Sequence, residues 1–437
     1  MRFVGRTLAL GAAVGVVAYV GIALVASMAT SGAANRASRS ASLVVRGRQI
    51  FRYDTFGDQA FWGGALQLHK AIAGKQLGGV GPGVSPKTAL AVGLKVDAAK
   101  IPKPVAAAIK AGKVNLNSPK TTLALLKLNA VVGVKGFFDK AGHLGSIGLT
   151  CAVCHSTVND SFAPGIGRRL DGWPNRDLNV GAIIDLAPNK KPITDLLKVD
   201  EATVHKVLMS WGPGRFDAEL FMDGKAFRPD GKSAATLIPA AFGLSGVNLH
   251  TYTGWGSVPY WNAFVANLEM HGIGNFDDDR LANARQFPVA ARAGFAHVRH
   301  NVDLITSKLP ALQVYQLSLP VPHASHINRA AALRGRAVFN GIGRCANCHM
   351  PPTFTDAGWN LHTGEEICID NFQSNRSPTF RYRTTPLRGI VAKTKGGFYH
   401  DGRFPTLRAV VDHYDSCLKL GLTDRQKADL VEYLKGL

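Results

Sequence analysis

The chain has 437 residues, 46% hydrophobic and 19% charged, an ordinary globular composition that excludes a disordered or fibrous chain and allows two or three domains. Its formal charge of +21 favours acidic proteins, anionic lipid headgroups or polyanions as partners. Nucleic acid is set aside, because there is neither a recognition-helix motif nor a basic run interleaved with aromatics.

In chain order, Arg2 and Arg6 precede an uncharged run from Thr7 to Asn35, a basic region followed by an apolar segment that marks export. Residues 1–34 therefore read as a signal or membrane anchor. The stretch Leu8 to Ala29 is long enough to cross a bilayer, which favours an uncleaved anchor, while Ser31, Gly32, Ala33 and Ala34 are small enough for a signal peptidase. Either outcome places the protein in the periplasm, and an uncleaved segment would tie it to the inner membrane through residues 8–29. Beyond the apolar run, Arg36 and Arg39 fall in a short linker within reach of anionic headgroups. Asp58 is expected to cap a helix carrying Phe61, Ala65, Leu68 and Ile72, and Ser118-Pro119 to open another through Leu123, Leu126 and Ala130. Between them, the glycine-rich stretch from Leu77 to Pro86 reads as a loop.

Four of the six cysteines lie in two pentapeptides, Cys151-Ala-Val-Cys154-His155 and Cys345-Ala-Asn-Cys348-His349. This is the signature of covalent haem attachment. Thiols two residues apart reach the two vinyl groups of one haem, and the histidine that follows lies under the iron as its proximal ligand. Zinc sites and redox dithiols use the same cysteine spacing but need no histidine after both pairs. Two haem c groups are thus expected, on His155 and His349. Cys368 and Cys417 stand outside these motifs. In an oxidising compartment they read as a disulfide closing about fifty residues, worth on the order of 4 kcal/mol, with two buried thiols as the alternative.

Around the second motif the order is helix, haem site, loops, helix. Asn328 to Phe339 has helical apolar spacing, Gly341 and Gly343 break it, and Thr423-x-x-Gln426 is a capping box opening a helix with Leu430, Val431 and Leu434 on one face. The expected fold is mainly α, with two cytochrome c-like haem domains and long loops behind an N-terminal hydrophobic helix. The boundaries are 35–327 for the N-terminal haem domain and 328–437 for the C-terminal cytochrome c domain. A faint repeat joins the halves: Gly243-Leu244 through Gly256-Ser-Val-Pro259 lies over Gly389-Ile390 through Gly402-Arg-Phe-Pro405 without a gap.

The C-terminal part carries a family resemblance. Arg344-Cys-Ala-Asn-Cys-His-Met350, Pro352-Thr-Phe-Thr-Asp356, Asn360-Leu-His-Thr-Gly364, Arg383-Thr-Thr-Pro-Leu-Arg388 and Phe398-Tyr-His-Asp-Gly-Arg-Phe404 resemble the bacterial di-haem cytochrome c peroxidase and MauG superfamily. The N-terminal part agrees only in its single haem motif and its order of elements. The resemblance implies one haem where peroxide or another oxidant reacts, one that relays electrons, and a calcium ion between them whose ligands are not apparent here. It also nominates Tyr399 as distal ligand of the C-terminal haem, at a position that commonly holds methionine in the peroxidases and tyrosine in MauG. A phenolate favours higher iron oxidation states than a thioether does, and the alternative is that Tyr399 merely packs on the haem edge. Met350 directly follows the proximal histidine and starts on the wrong side.

The family's peroxidases often place a histidine shortly after the first motif, but Ser156 to Leu178 contains none. The His155 haem is therefore expected to be five-coordinate or ligated from afar, with His69, His143, His205 and His250 as distant candidates. Peroxide cleavage also needs an acid–base group, for which Asp217, Glu219 and Glu201 are available. Trp173, Trp211 and Trp255 read as core as readily as electron carriers. Two functions remain: a peroxidase-like oxidoreductase reacting at the N-terminal haem and relaying electrons through the C-terminal one, or a non-catalytic periplasmic electron carrier. Either would exchange electrons with an acidic cytochrome or copper protein, or a quinol-linked donor.

Overall fold

The computed structural model describes residue 38 and residues 40–437; the signal or anchor segment 1–34, Arg36 and Arg39 lie outside the described residues. Among the described residues the fold is mainly helical, and no helix is long and apolar enough to cross a membrane. Its strands form small two-stranded sheets. The longest is the antiparallel hairpin of Val134–Phe138 and Leu144–Leu149, which delivers the chain directly to Cys151.

The helix expected from Asp58 is broken in two. Ala60–Ala65 is a π-helical turn, Gln67 takes a left-handed conformation (φ 56°), and a separate helix runs Leu68–Ala73. Asp58 caps neither piece through its side chain; it turns to the hairpin, where its carboxylate accepts the Leu149 N–H at 3.1 Å. Burial pushes this carboxyl up to about 9. The second expected helix is present as Pro119–Lys127, although Ser118 makes no side-chain cap. Proline at its first position supplies the preset φ that starts it.

The C-terminal part is built as its local signals indicate. Asn328 caps Arg329–Asn340 by accepting the Ala331 N–H, and Thr423 and Gln426 form a capping box on Asp424–Lys435. These two helices cross at Gly335, where an added Cβ would lie 2.0 Å from the Asp429 carbonyl oxygen. Arg334 clamps the crossing with two bonds to the Asp429 carboxylate, at 2.7 and 2.6 Å. Gly335→Ala is therefore expected to destabilise the protein by about 1–3 kcal/mol through overpacking, read as a lower denaturant midpoint at unchanged slope. The core here gathers Val338, Phe339, Leu387, Ile390, Leu407, Val411, Leu422, Leu430 and Leu434. Cys368 and Cys417 are joined in a disulfide, tying the loop after His362 to the helix Leu407–Leu418.

The two halves meet through buried ion pairs. Arg376 is fully buried between Asp217 (2.9 Å) and Asp223 (2.8 Å), and Gln373 donates to Glu219 at 2.9 Å. A charge so removed from water persists only where its partners are fixed, so these contacts set the position of the C-terminal segment on the N-terminal one.

Candidate functional site

Each Cys-x-x-Cys-His motif borders its own largely apolar cavity. Cys151, Cys154 and His155 line one of about 330 Å³, and Cys345, Cys348 and His349 line another of about 300 Å³. One helical turn, Ala152–His155, brings the first three side chains to one side; a 3₁₀ turn, Cys345–Asn347, does so for the second set. Both histidines place Nδ1 against a backbone carbonyl: His155 on Pro239 O at 3.1 Å and His349 on Phe354 O at 3.0 Å. That bond fixes the ring and leaves Nε2 for a metal. Burial lowers both imidazoles to about 4, so both are neutral at pH 7, the state in which histidine ligates iron. Donor set, tautomer and apolar walls all fit haem.

The two cavities are built from the same unit used twice. In the first half Gly243 (φ 64°) precedes a turn closed by the bridge of His250 to Gly256, and then the helix Val258–Phe264. In the second half Gly389 (φ 67°) precedes a turn closed by the bridge of Phe398 to Phe404, and then the helix Leu407–Leu418. Val258, Trp261, Asn262, Val265 and Glu269 line the first cavity; Leu407, Val410, Val411, Tyr414 and Leu418, at identical spacing, line the second. The gapless alignment of the sequence repeat is corrected at the turn. Gly402 corresponds to Gly254, both with positive φ, and not to Gly256. The second copy carries two more residues before Phe398, in a stretch holding the positive-φ pair Gly396 and Gly397, and a third between Phe404 and Leu407, so the register slips on both sides of the bridge.

Once the register is corrected, Tyr399 corresponds to Thr251. Both take positive φ (69° and 63°) just inside the bridge, both line their cavity, and both side-chain oxygens are buried without a hydrogen-bond partner. A non-glycine residue held at positive φ costs energy that the surroundings must impose, and such positions cluster at functional sites. Burial holds the Tyr399 phenol well above its ordinary value. At one cavity the turn presents a long phenol, at the other a short hydroxyl.

The acid–base candidates separate cleanly. Glu201 is exposed on the first turn of the helix Glu201–Trp211, away from either cavity. Asp217 is engaged by Arg376 and does not line the cavity. Glu219 does line the His155 cavity, and burial raises its carboxyl despite Arg376. Sequence reasoning missed Glu269. It lines the same cavity, neither carboxylate oxygen has a hydrogen-bond partner, and burial holds it well above the usual carboxylate range. It ends the π-helical turn Val265–Glu269, a distortion that often marks functional positions. The available signal was that Glu269 is the sole acid in the apolar run from Val258 to Met270.

Of the four distant histidines, His250 alone borders the His155 cavity, with Nε2 on Val247 O at 3.0 Å. His143 and His205 are exposed and paired with Asp139 and Asp185, and His69 does not reach the cavity. Trp211 and Trp255 are core residues, the latter stacked on Phe287. Trp173 packs near Phe242, with ring centroids 6.3 Å apart. Cys348, Asp356 and His362 come within 4.8 Å of one another, but Cys348 belongs to the second Cys-x-x-Cys-His pentapeptide and calcium takes oxygen ligands, so this group is not read as a calcium site.

No family model matches the chain. It is similar to the methylamine utilization protein MauG of Methylorubrum extorquens, at 32% identity over 127 residues, covering 25% of this chain and 35% of that protein. The chain thus spans about a third of the length of this relative. Among solved structures it is similar to a chain of Kuenenia stuttgartiensis hydrazine synthase pressurized with 20 bar xenon, at 16% identity, covering 50% of this chain and 86% of that one, with a TM-score of 0.30. That score is too low to define a shared fold.

Proposed function

We propose that the chain is a periplasmic di-haem c-type oxidoreductase of the peroxidase kind, in which an oxidant such as peroxide reacts at the haem on His155 and electrons pass through the haem on His349. The observation that carries this reading is the asymmetry of two otherwise matched cavities: Thr251 and Glu269 stand in the first where Tyr399 and Leu418 stand in the second. Haem iron supplies the one-electron chemistry and, where its distal face is free, a position for the oxidant. Cys151 and Cys154 would hold one haem and Cys345 and Cys348 the other, with His155 and His349 beneath them. Tyr399 would close the second haem. Thr251 would be too short to close the first, and Glu269 would serve as the group that takes a proton from peroxide and returns it to the departing oxygen. The partial similarity to MauG supports the class. Electrons would come from an acidic cytochrome or copper protein drawn to the basic surface, or from a quinol-linked donor.

The test is a spectrum of the haem-loaded protein in its ferric and reduced forms, then with carbon monoxide and with one equivalent of hydrogen peroxide. One haem of two binding carbon monoxide, with a prompt spectral change on peroxide, is the expected result. Two low-spin haems silent to both reagents would leave an electron carrier.

A further inference from the structure

Arg176, Arg383 and Lys393 line the His349 cavity, the first buried and the other two half-buried, and among the described residues none is matched by a carboxylate. Arg383 lines both cavities. Its Nη1 donates to Leu249 O at 3.0 Å, and its Nε is buried with no partner. Arg176 lines the His349 cavity; its Nη1 reaches Lys395 O at 3.3 Å and its Nε is likewise orphaned. Lys393 lines the same cavity, donates to Pro386 O (2.8 Å) and Arg388 O (3.0 Å), and sits 5.4 Å from the Phe242 ring centroid. Carbonyl oxygens satisfy part of their hydrogen bonding but not their charge. Burial accordingly lowers Arg383 to about 10 and Lys393 to about 7. Elsewhere in this chain a buried guanidinium is answered in full, as Arg376 is by Asp217 and Asp223. Buried charges persist where an anion compensates them, and here the protein does not provide one.

We propose that Arg383, Arg176 and Lys393 form a single anion site that receives carboxylate side chains of the bound haems, with Arg383 holding one from each cavity. This rests on the di-haem reading above. Arg383 is also tied to the N-terminal turn, since its N–H donates to Tyr252 O at 2.8 Å, and Tyr252 borders both cavities as well. The shared wall is therefore one electrostatic unit. A cation beside a haem favours the ferrous form, which carries one positive charge fewer, so this site raises both reduction potentials together.

The experiment is a spectroelectrochemical titration of the full-length holoprotein, after haem content is fixed by a pyridine haemochrome assay. Arg383→Met should move the reduction equilibrium of both haems at least tenfold toward ferric, about 59 mV each for a one-electron couple, and Arg383→Lys should recover most of that shift. Arg176→Met and Lys393→Met should shift the His349 haem alone. Should Arg383→Met not accumulate, these two variants decide: unchanged potentials in both overturn the site. Haem-loaded Arg383→Met with unchanged potentials, or with one haem shifted, also overturns it. Wild-type potentials that move on adding inorganic phosphate would identify a free anion as occupant and refute the haem carboxylates. A wild-type protein without covalent haem would refute the di-haem reading itself, a separate failure.

Discussion

Glu269→Gln is expected to keep both haems attached and the protein folded, yet to slow the reaction of the His155 haem with hydrogen peroxide by about 10²- to 10⁴-fold, the usual contribution of a positioned acid–base group. The substitution preserves side-chain size, and because neither oxygen of Glu269 has a hydrogen-bond partner, it breaks no hydrogen bond among the described residues. The pH dependence gives an independent sign. Burial favours the protonated carboxyl, whereas accepting a proton from peroxide requires the carboxylate. The wild-type rate should therefore rise with pH through a range above that of ordinary carboxylates, and the glutamine variant should lose this rise. Stopped-flow absorbance over a pH series measures both. A variant as fast as wild type would transfer the role to Glu219, the other acid lining this cavity.

Exchanging the residues at the matched turn position should exchange the character of the two haems. Thr251→Tyr places a phenol where the repeat puts Tyr399, and the ferric His155 haem should change from high to low spin. Tyr399→Thr should open the His349 haem. Counted as carbon monoxide bound per reduced protein, the wild type should take up one, Thr251→Tyr none and Tyr399→Thr two. The positive φ at both positions already suits the exchange, since each backbone tolerates a side chain there. Uptake unchanged in both variants would mean that this turn does not face the iron.

Residues that act through neighbours in sequence were legible without coordinates. The cysteines and histidine of each Cys-x-x-Cys-His motif lie within five consecutive positions, and a single turn of backbone brings each set to one cavity. The caps at Asn328 and Thr423 are likewise local, and both helices begin where those residues place them. Asp58 shows the limit. Its sequence position suits a cap, but a partner far along the chain, the Leu149 N–H, captures the carboxylate. Tertiary hydrogen bonding there outcompetes local preference.

By itself, then, the sequence determined that the chain carries two Cys-x-x-Cys-His pentapeptides and where the C-terminal helices begin, and it held a faint repeat between the halves. Only the tertiary structure decided the register of that duplication, because two extra residues before Phe398 and a third between Phe404 and Leu407 hide it from any gapless comparison. With the register came the pairing of Thr251 with Tyr399 and of Glu269 with Leu418, from which the difference between the cavities follows. It also separated the acids: Asp217 is held by Arg376, Glu201 faces solvent, and Glu219 and Glu269 meet the His155 cavity. The physical reason is common to all of these. Attachment and capping are settled within a turn of the chain, whereas an acid's protonation and a distal residue's reach depend on which distant segments exclude water around them.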